Sequence, residues 1–540
     1  MRHADTIITD ALLYRDGVAR SQHLAIANGD IAAITADHDE LRAHQGPGTE
    51  VVSLPGRLIL PGFQDAHIHA PVGGNSMRHV YLNDRHGRRD YLTAIAEYAV
   101  AHPNDRWITG SGWALEFFPA GGPRREDLDA IVPDRPVFLF NRDLHGAWVN
   151  SHALEVGDVT AATPDPADGM IERDPHTGEP TGMLHEGAAY SFHTRVVPQP
   201  DTEGWMAAIQ HAQGYLHSLG ITAWQDAWVT PATHAAYARL AAQGELDARV
   251  VGALWWDRHR GLDQIDEFLT LREAGGSGAY QATTVKIMTD GILENRTGSL
   301  LEPYCDGCGG HTDNHGLDYV DRELLAAAVT QLDAAGFQVH MHAIGDRAVR
   351  HSLDAVAAAR AANGAGQRHH IAHVQIIQPE DLPRFAHLGV AANCQPFWAQ
   401  AEPQMEELTI PFIGRERSDL QYPFARLAAL GTVLAGGSDW PVTTPDPLQE
   451  IEVMVTRVNP DDRDSAPFLP EERVPLSTAV AAFTSGSAFV NGDESRSGTL
   501  DVGKRADLAV LDHDITLDPT HPCDATVEMT FVAGRAVFGG

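Results

Sequence analysis

Eight short apolar runs, most of them separated by stretches of helical periodicity, constrain this 540-residue chain more than any other feature. They fall at 58–63, 221–225, 250–255, 284–288, 338–342, 370–373, 390–393 and 432–435. Continuous rather than alternating apolar character is the pattern of a strand covered on both faces. The clearest helix carries Leu324, Leu325, Ala328, Val329 and Leu332 on one face and stops at Gly336, a residue suited to a left-handed cap. Another begins near Asp346 and runs through Val349, Leu353 and Val356 to Asn363-Gly364. Eight strands with helical crossovers predict an α/β fold, a (β/α)8 barrel; a doubly wound sheet is the alternative.

The ends of the chain read differently. Short β-branched segments at 6–13, 23–27 and 31–35 are joined by turn residues at Asp16-Gly17 and Asn28-Gly29. The style returns near the C-terminus, at 509–511 and 527–532. Neither piece has enough apolar surface to stand alone. The expectation is one small β-sandwich domain from residues 1–56 and 498–540, beside a barrel of residues 57–497. The gap between the first two runs predicts an inserted subdomain at about 76–215.

Charge narrows the partners. With 39 basic and 73 acidic residues the net charge is −34, and protonating all 29 histidines would leave −5. Such a surface repels phosphate backbones and anionic membrane, so nucleic-acid binding is not expected. No run of ~18 apolar residues suggests a membrane span. The start, MRHADTIITD, lacks the layout of a signal peptide, and four cysteines are too few to staple the chain, so a reducing cytoplasm is the expected setting. Only two of the basic residues are lysines, Lys286 and Lys504.

In a barrel the chemistry sits where strands end. The first run leads into Asp65-Ala66-His67-Ile68-His69, and residues i and i+2 of a strand face the same way. Taken alone, one His-x-His pair is weak, and His340-Met341-His342 is a second. Lys286 lies among apolar neighbours on the fourth run, in a chain that uses arginine nearly everywhere else. A buried ammonium is costly unless paired, which makes a structural salt bridge one reading. The other is that lysine, unlike arginine, can lose its proton and take up carbon dioxide as a carbamate. The fifth run delivers His342, the sixth His373, and the eighth leads into Gly437-Ser438-Asp439. Four histidines, a lysine and an aspartate at the ends of five strands predict a divalent metal site.

These residues resemble a known family. PGFQDAHIHA, KIMTDG, HAIGDRA, IAHVQ and GSDWPV are similar to motifs of the metal-dependent amidohydrolase superfamily, in the branch of N-substituted formamide deformylases and YtcJ-like hydrolases. GWALEFF, PDRPVFLFNRDLHGAWVNSHAL and SGTLDVGKRADLAVLD extend the resemblance over nearly the whole chain. It implies two divalent ions, zinc in the first place, with some members holding one. His67, His69 and Asp439 would hold one ion, His342 and His373 the other, and carboxylated Lys286 would bridge them. His342 is preferred to His340, and His373 to His369 and His370, by their place in the motifs. It further implies activated water as nucleophile and Asp439 as general base and then acid, cleaving a small amide. Trp113, His145 and Arg296 become candidate substrate contacts, their alternative being core and structural roles. Asp143-Leu144-His145 departs from the family's Asp-Gly-His.

A separate Cys305, Cys308, His311, His315 cluster has ligands suited to a structural zinc, or is a Gly-rich loop with incidental thiols. Three functions stay open: a linear-amide hydrolase, a deaminase or cyclic-amide hydrolase, and a non-catalytic regulator. A homodimer is plausible for a large barrel enzyme, though no residue shows it.

Overall fold

The computed structural model describes residues 3–118, 122–276, 278–310 and 312–539. Eight parallel strands form one sheet: β1 (Phe63–Ile68), β2 (Ile221–Val229), β3 (Arg249–Trp255), β4 (Tyr280–Met288), β5 (Gln338–Ala343), β6 (His370–His373), β7 (Ala391–Cys394) and β8 (Leu434–Gly436). Each pairs with the next in chain order, as successive strand–helix units dictate. The last strand returns to the first. Ser438 N–H and Oγ–H donate to the Asp65 carboxylate, and Asp439 N–H donates to His67 O at 2.7 Å. The result is a nearly closed TIM-like barrel. The helices expected beside β5 run Arg322–Ala334 and Asp346–Asn363, the first followed by Gly336 at φ 81°.

One expectation needs correcting. The run at 58–63 is not a single barrel strand. Leu58–Pro61 pairs with Leu12 and Leu13 and with Leu508–Leu511 in another sheet, and β1 begins at Phe63. Gly62 marks the switch: its N–H donates to Asp507 O, and a Cβ there would meet the Thr222 side chain at 2.5 Å.

That other sheet has eight strands drawn from both termini, including Thr6–Arg15, Val18–Ala27 and Asp30–Thr35 with Leu508–Leu511 and Val527–Val532. Asp16-Gly17 and Asn28-Gly29 all have positive φ, as tight hairpins of right-twisted strands require. Ile8, Leu13, Leu24, Ile59, Leu508, Val510 and Phe531 form its core.

The chain divides into two compact units. One holds both sheets just described; the other comprises Ala70–Ala212 with Trp440–Thr443. The second unit has a six-stranded sheet and a core that includes Tyr91, Trp113, Leu139 and Trp148. Among the described residues no helix is long and apolar enough to cross a membrane.

Candidate metal centre

The C-terminal ends of β1, β6 and β8 deliver imidazoles and a carboxylate to one place. His67 Nε2 lies 3.1 Å and His69 Nε2 2.9 Å from Asp439 Oδ1, and His373 Nδ1 is 3.9 Å from Asp439 Oδ2. One ligand atom from each of His67, His373 and Asp439 lies within 4.8 Å of the others. His373 and Asp439 reach this point through backbone at φ 75° and 58°. The strain is held by hydrogen bonds, from His373 N–H to Gln395 Oε1 and from Asp439 N–H to His67 O.

These atoms fit a cation. Asp439 Oδ1 and His373 Nδ1 are buried polar atoms aimed into the cluster, with the His67 and His69 Nε2 atoms close against the carboxylate. The spacings bracket the tetrahedral edge of about 3.3 Å that ligand bonds of ~2.0–2.1 Å require. Burial works to raise the Asp439 carboxyl, but the His67 and His69 imidazoles outweigh it and hold the group well below its usual range. Burial, with Lys286 next, pushes His67 down to about 3. The donor set is a carboxylate and imidazoles, the ligand types a divalent ion takes.

Lys286 is 1% exposed on β4, and burial pushes its amine down to about 7. Among the described residues it makes no ion pair, so the salt-bridge reading of this lysine finds no partner. His342 lies beside His373, ring centroids 4.5 Å apart, with Nε2 turned 3.1 Å from Gly291 O and 3.4 Å from Asp290 Oδ1. His340 points elsewhere: its Nε2 is 2.8 Å from His67 Nδ1, beneath the cluster.

Trp113 is fully buried in the core of the second unit and donates its indole N–H to Leu139 O. His145, also in that unit, has Nδ1 2.8 Å from Glu186 Oε2. Arg296 is exposed in the loop after β4, its guanidinium 4.3 Å from the Phe412 ring centroid. Among the described residues Cys305, Cys308 and His315 form no ligand group, and His311 lies outside those residues. A further group that sequence reading passed over joins Asp10 and His23 of the terminal sheet with His38 of the short helix His38–Arg42, and His23 Nδ1 already accepts Asp10 N–H.

Sequence reading also missed Asp65, which ties β1 to the end of β8, and the aromatic wall. Trp398 stacks on His373 at 4.9 Å and 1°, Trp228 stands edge-on to His69 at 6.0 Å, and Trp255 lies 5.2 Å from Trp228. Asp65 was visible in the first motif; the tryptophans carried no signal until the strands were placed.

The sequence profile of the amidohydrolase family matches residues 50–538. The chain belongs to that family. This amidohydrolase is 29% identical to the Bacillus subtilis protein YtcJ, which carries an amidohydrolase name, over 98% of this chain and 96% of YtcJ. It is 26% identical to the N-substituted formamide deformylase of Arthrobacter pascens, over 92% of this chain and 90% of the other. Among solved structures, an uncharacterised metal-dependent hydrolase from Pyrococcus furiosus superposes with a TM-score of 0.73 at 25% identity, covering 94% of this chain and 99% of that one. The family and these neighbours support a divalent metal in this amidohydrolase.

Proposed function

We propose that this amidohydrolase cleaves the C–N bond of a small linear amide, an N-substituted formamide in the first place. The observation that carries the reading is the convergence of His67 Nε2 and His69 Nε2 on one Asp439 oxygen at the barrel mouth. His67, His69 and Asp439 would hold one divalent ion, zinc in the first place, and His342 and His373 a second. Lys286 would bridge them as a carbamate: its amine lone pair bonds to the carbon of CO2 and the nitrogen's proton leaves to solvent. When bound, such ions lower the pKa of water and polarise a carbonyl.

On this reading the remaining steps fall to the protein's own residues. Asp439, held well below the usual carboxylate range, takes the proton of the attacking water and passes it to the leaving nitrogen. Trp398, Trp228 and Trp255 line the ligands with flat apolar surface, which suits an apolar substituent on that nitrogen and keeps bulk water away. On this reading residues 1–61 and 498–540 form a small sandwich domain, and the barrel, beginning at Phe63, carries an insertion at about 76–215.

A panel of formamides, acyl amino acids, hydantoins and esters, assayed with wild type and Asp439→Asn, tests the proposal. Formamides should turn over with release of the substituted amine. The variant should lose ~10²–10⁴-fold in rate, the usual worth of a positioned acid–base group, while keeping most of its metal. Release of ammonia, or turnover confined to hydantoins, would move the function to the deaminase or cyclic-amide class. Full activity in the variant would take Asp439 out of the mechanism.

A further inference from the structure

The interior of the barrel below the ligands is polar, and its hydrogen bonds have a direction. Gln338 Nε2 lies 2.6 Å from Arg368 O and 2.8 Å from Val490 O. Backbone carbonyls only accept, so this end of Gln338 is its NH2 and its Oε1 must accept. That oxygen receives Thr284 Oγ–H at 2.7 Å and Gln225 Nε2–H at 3.1 Å. Gln225 has thereby turned its own Oε1 to the other side, where it receives His340 Nδ1–H at 2.8 Å and His370 Nε2–H at 3.0 Å. A neutral imidazole carries one proton, so His340 Nε2 is a lone pair. It stands 2.8 Å from His67 Nδ1, which must supply the hydrogen. The lone pair of His67 is then left on Nε2, the atom 3.1 Å from Asp439. His370 continues the order: its Nδ1 accepts from Asn393 Nδ2, which also donates to Ala66 O. All of these side chains are buried, so water cannot reverse the sequence.

We propose that Gln338, Gln225 and His340 are positioning residues, a one-way hydrogen-bond chain, anchored on two backbone carbonyls, that fixes His67 in the tautomer with its lone pair toward the metal. The metal at His67 rests on the function proposed above; the tautomer does not. A ligand imidazole without such a partner divides its proton between two nitrogens and presents the metal with an N–H part of the time. Outer-shell partners of this kind typically change metal affinity 10–100-fold.

Two measurements on metal-free protein test this. Nitrogen-15 spectra of histidine-labelled protein, with the His67 signal assigned by its loss in His67→Gln, should show the His67 proton on Nδ1 near neutral pH. A proton on Nε2, or an even mixture, overturns the proposal. Zinc affinity by chelator competition should fall 10–100-fold in His340→Phe, which keeps a ring in place but offers no acceptor. It should recover to within a few-fold of wild type in His340→Gln, whose amide can accept from His67 and donate to Gln225. A packing role would rank the two the other way, with His340→Phe closer to wild type, and that order overturns the proposal. Should His340→Phe not fold, the wild-type spectrum and His340→Gln still decide. Wild type that binds no zinc yet shows the Nδ1 proton would sink the metal reading and leave the hydrogen-bond chain standing.

Discussion

Lys286 places an amine within electrostatic reach of the Asp439 carboxylate, with no ion pair of its own among the described residues, and burial outweighs that carboxylate to draw it down to about 7. A lysine kept as a plain cation there would repel the ion that its neighbours are arranged to hold. The proposed carbamate would resolve the conflict by turning a positive group into a negative one on the same arm. Lys286→Ala is expected to lose more than ~100-fold in activity, beyond the upper end of what an outer-shell partner costs, and acetate should restore part of it by filling the vacated carboxylate position. Lys286→Arg should not respond to acetate, because its guanidinium stays charged and occupies the space. Acetate that leaves Lys286→Ala inert would argue against a carboxylate at this position. The ligand types were legible in the sequence because metal chemistry restricts them. Which histidine of His340-Met341-His342 reaches which neighbour was not, since that depends on the inclination of β5 within the barrel.

Among the elements, the helix pair Arg322–Ala334 and Asp346–Asn363 is tied down by one carboxylate. Asp333 accepts from His369 Nε2 at 3.0 Å, Asn363 Nδ2 at 2.9 Å and Gln367 N–H at 3.0 Å. The His369 bond leads the effects that hold this carboxyl well below its ordinary range, against the upward pull of burial. The folded-state value lies below the unfolded ~3.9, so the stabilisation is complete above that pH and disappears as pH falls through the folded value. Asp333→Asn should cost about 2 kcal/mol at neutral pH. In thermal melts the gap between wild type and variant should close as the pH drops below ~3; a gap of constant size would show that ionisation of Asp333 contributes nothing. Both helices were readable from their apolar stripes and glycine stops. The run at 58–63 misled because an apolar stretch buried on both sides has no periodicity to say which sheet buries it. Only Pro61-Gly62 marked the change of sheet, and a turn signal inside an apolar run does not say that pairing partners switch.

Over the whole molecule, the terminal sheet joins segments distant in sequence, with Ile59 and Leu60 paired against Val510 and Ala509. Phe531, 3% exposed, closes the core over Ile8, Leu13 and Leu24. Phe531→Ala should lower unfolding stability by about 3–5 kcal/mol by leaving a cavity, with kcat of the folded fraction unchanged because the ligands sit on a different sheet. Denaturant unfolding and rate per folded molecule would check both halves; a fall in kcat alone would mean that the sheet supports the site.

The sequence by itself determined the repeating strand–helix order, the polar residues that follow each strand and the family to which they belong, because periodicity and ligand chemistry are local properties. Only the tertiary structure decided that Pro61-Gly62 divides one apolar run between two sheets, that Trp113 is packed as core, and that His340 lies under His67 in a directed chain of hydrogen bonds. Those outcomes depend on which residues of distant strands meet inside a nearly closed barrel, and closure is a property of all eight strands together.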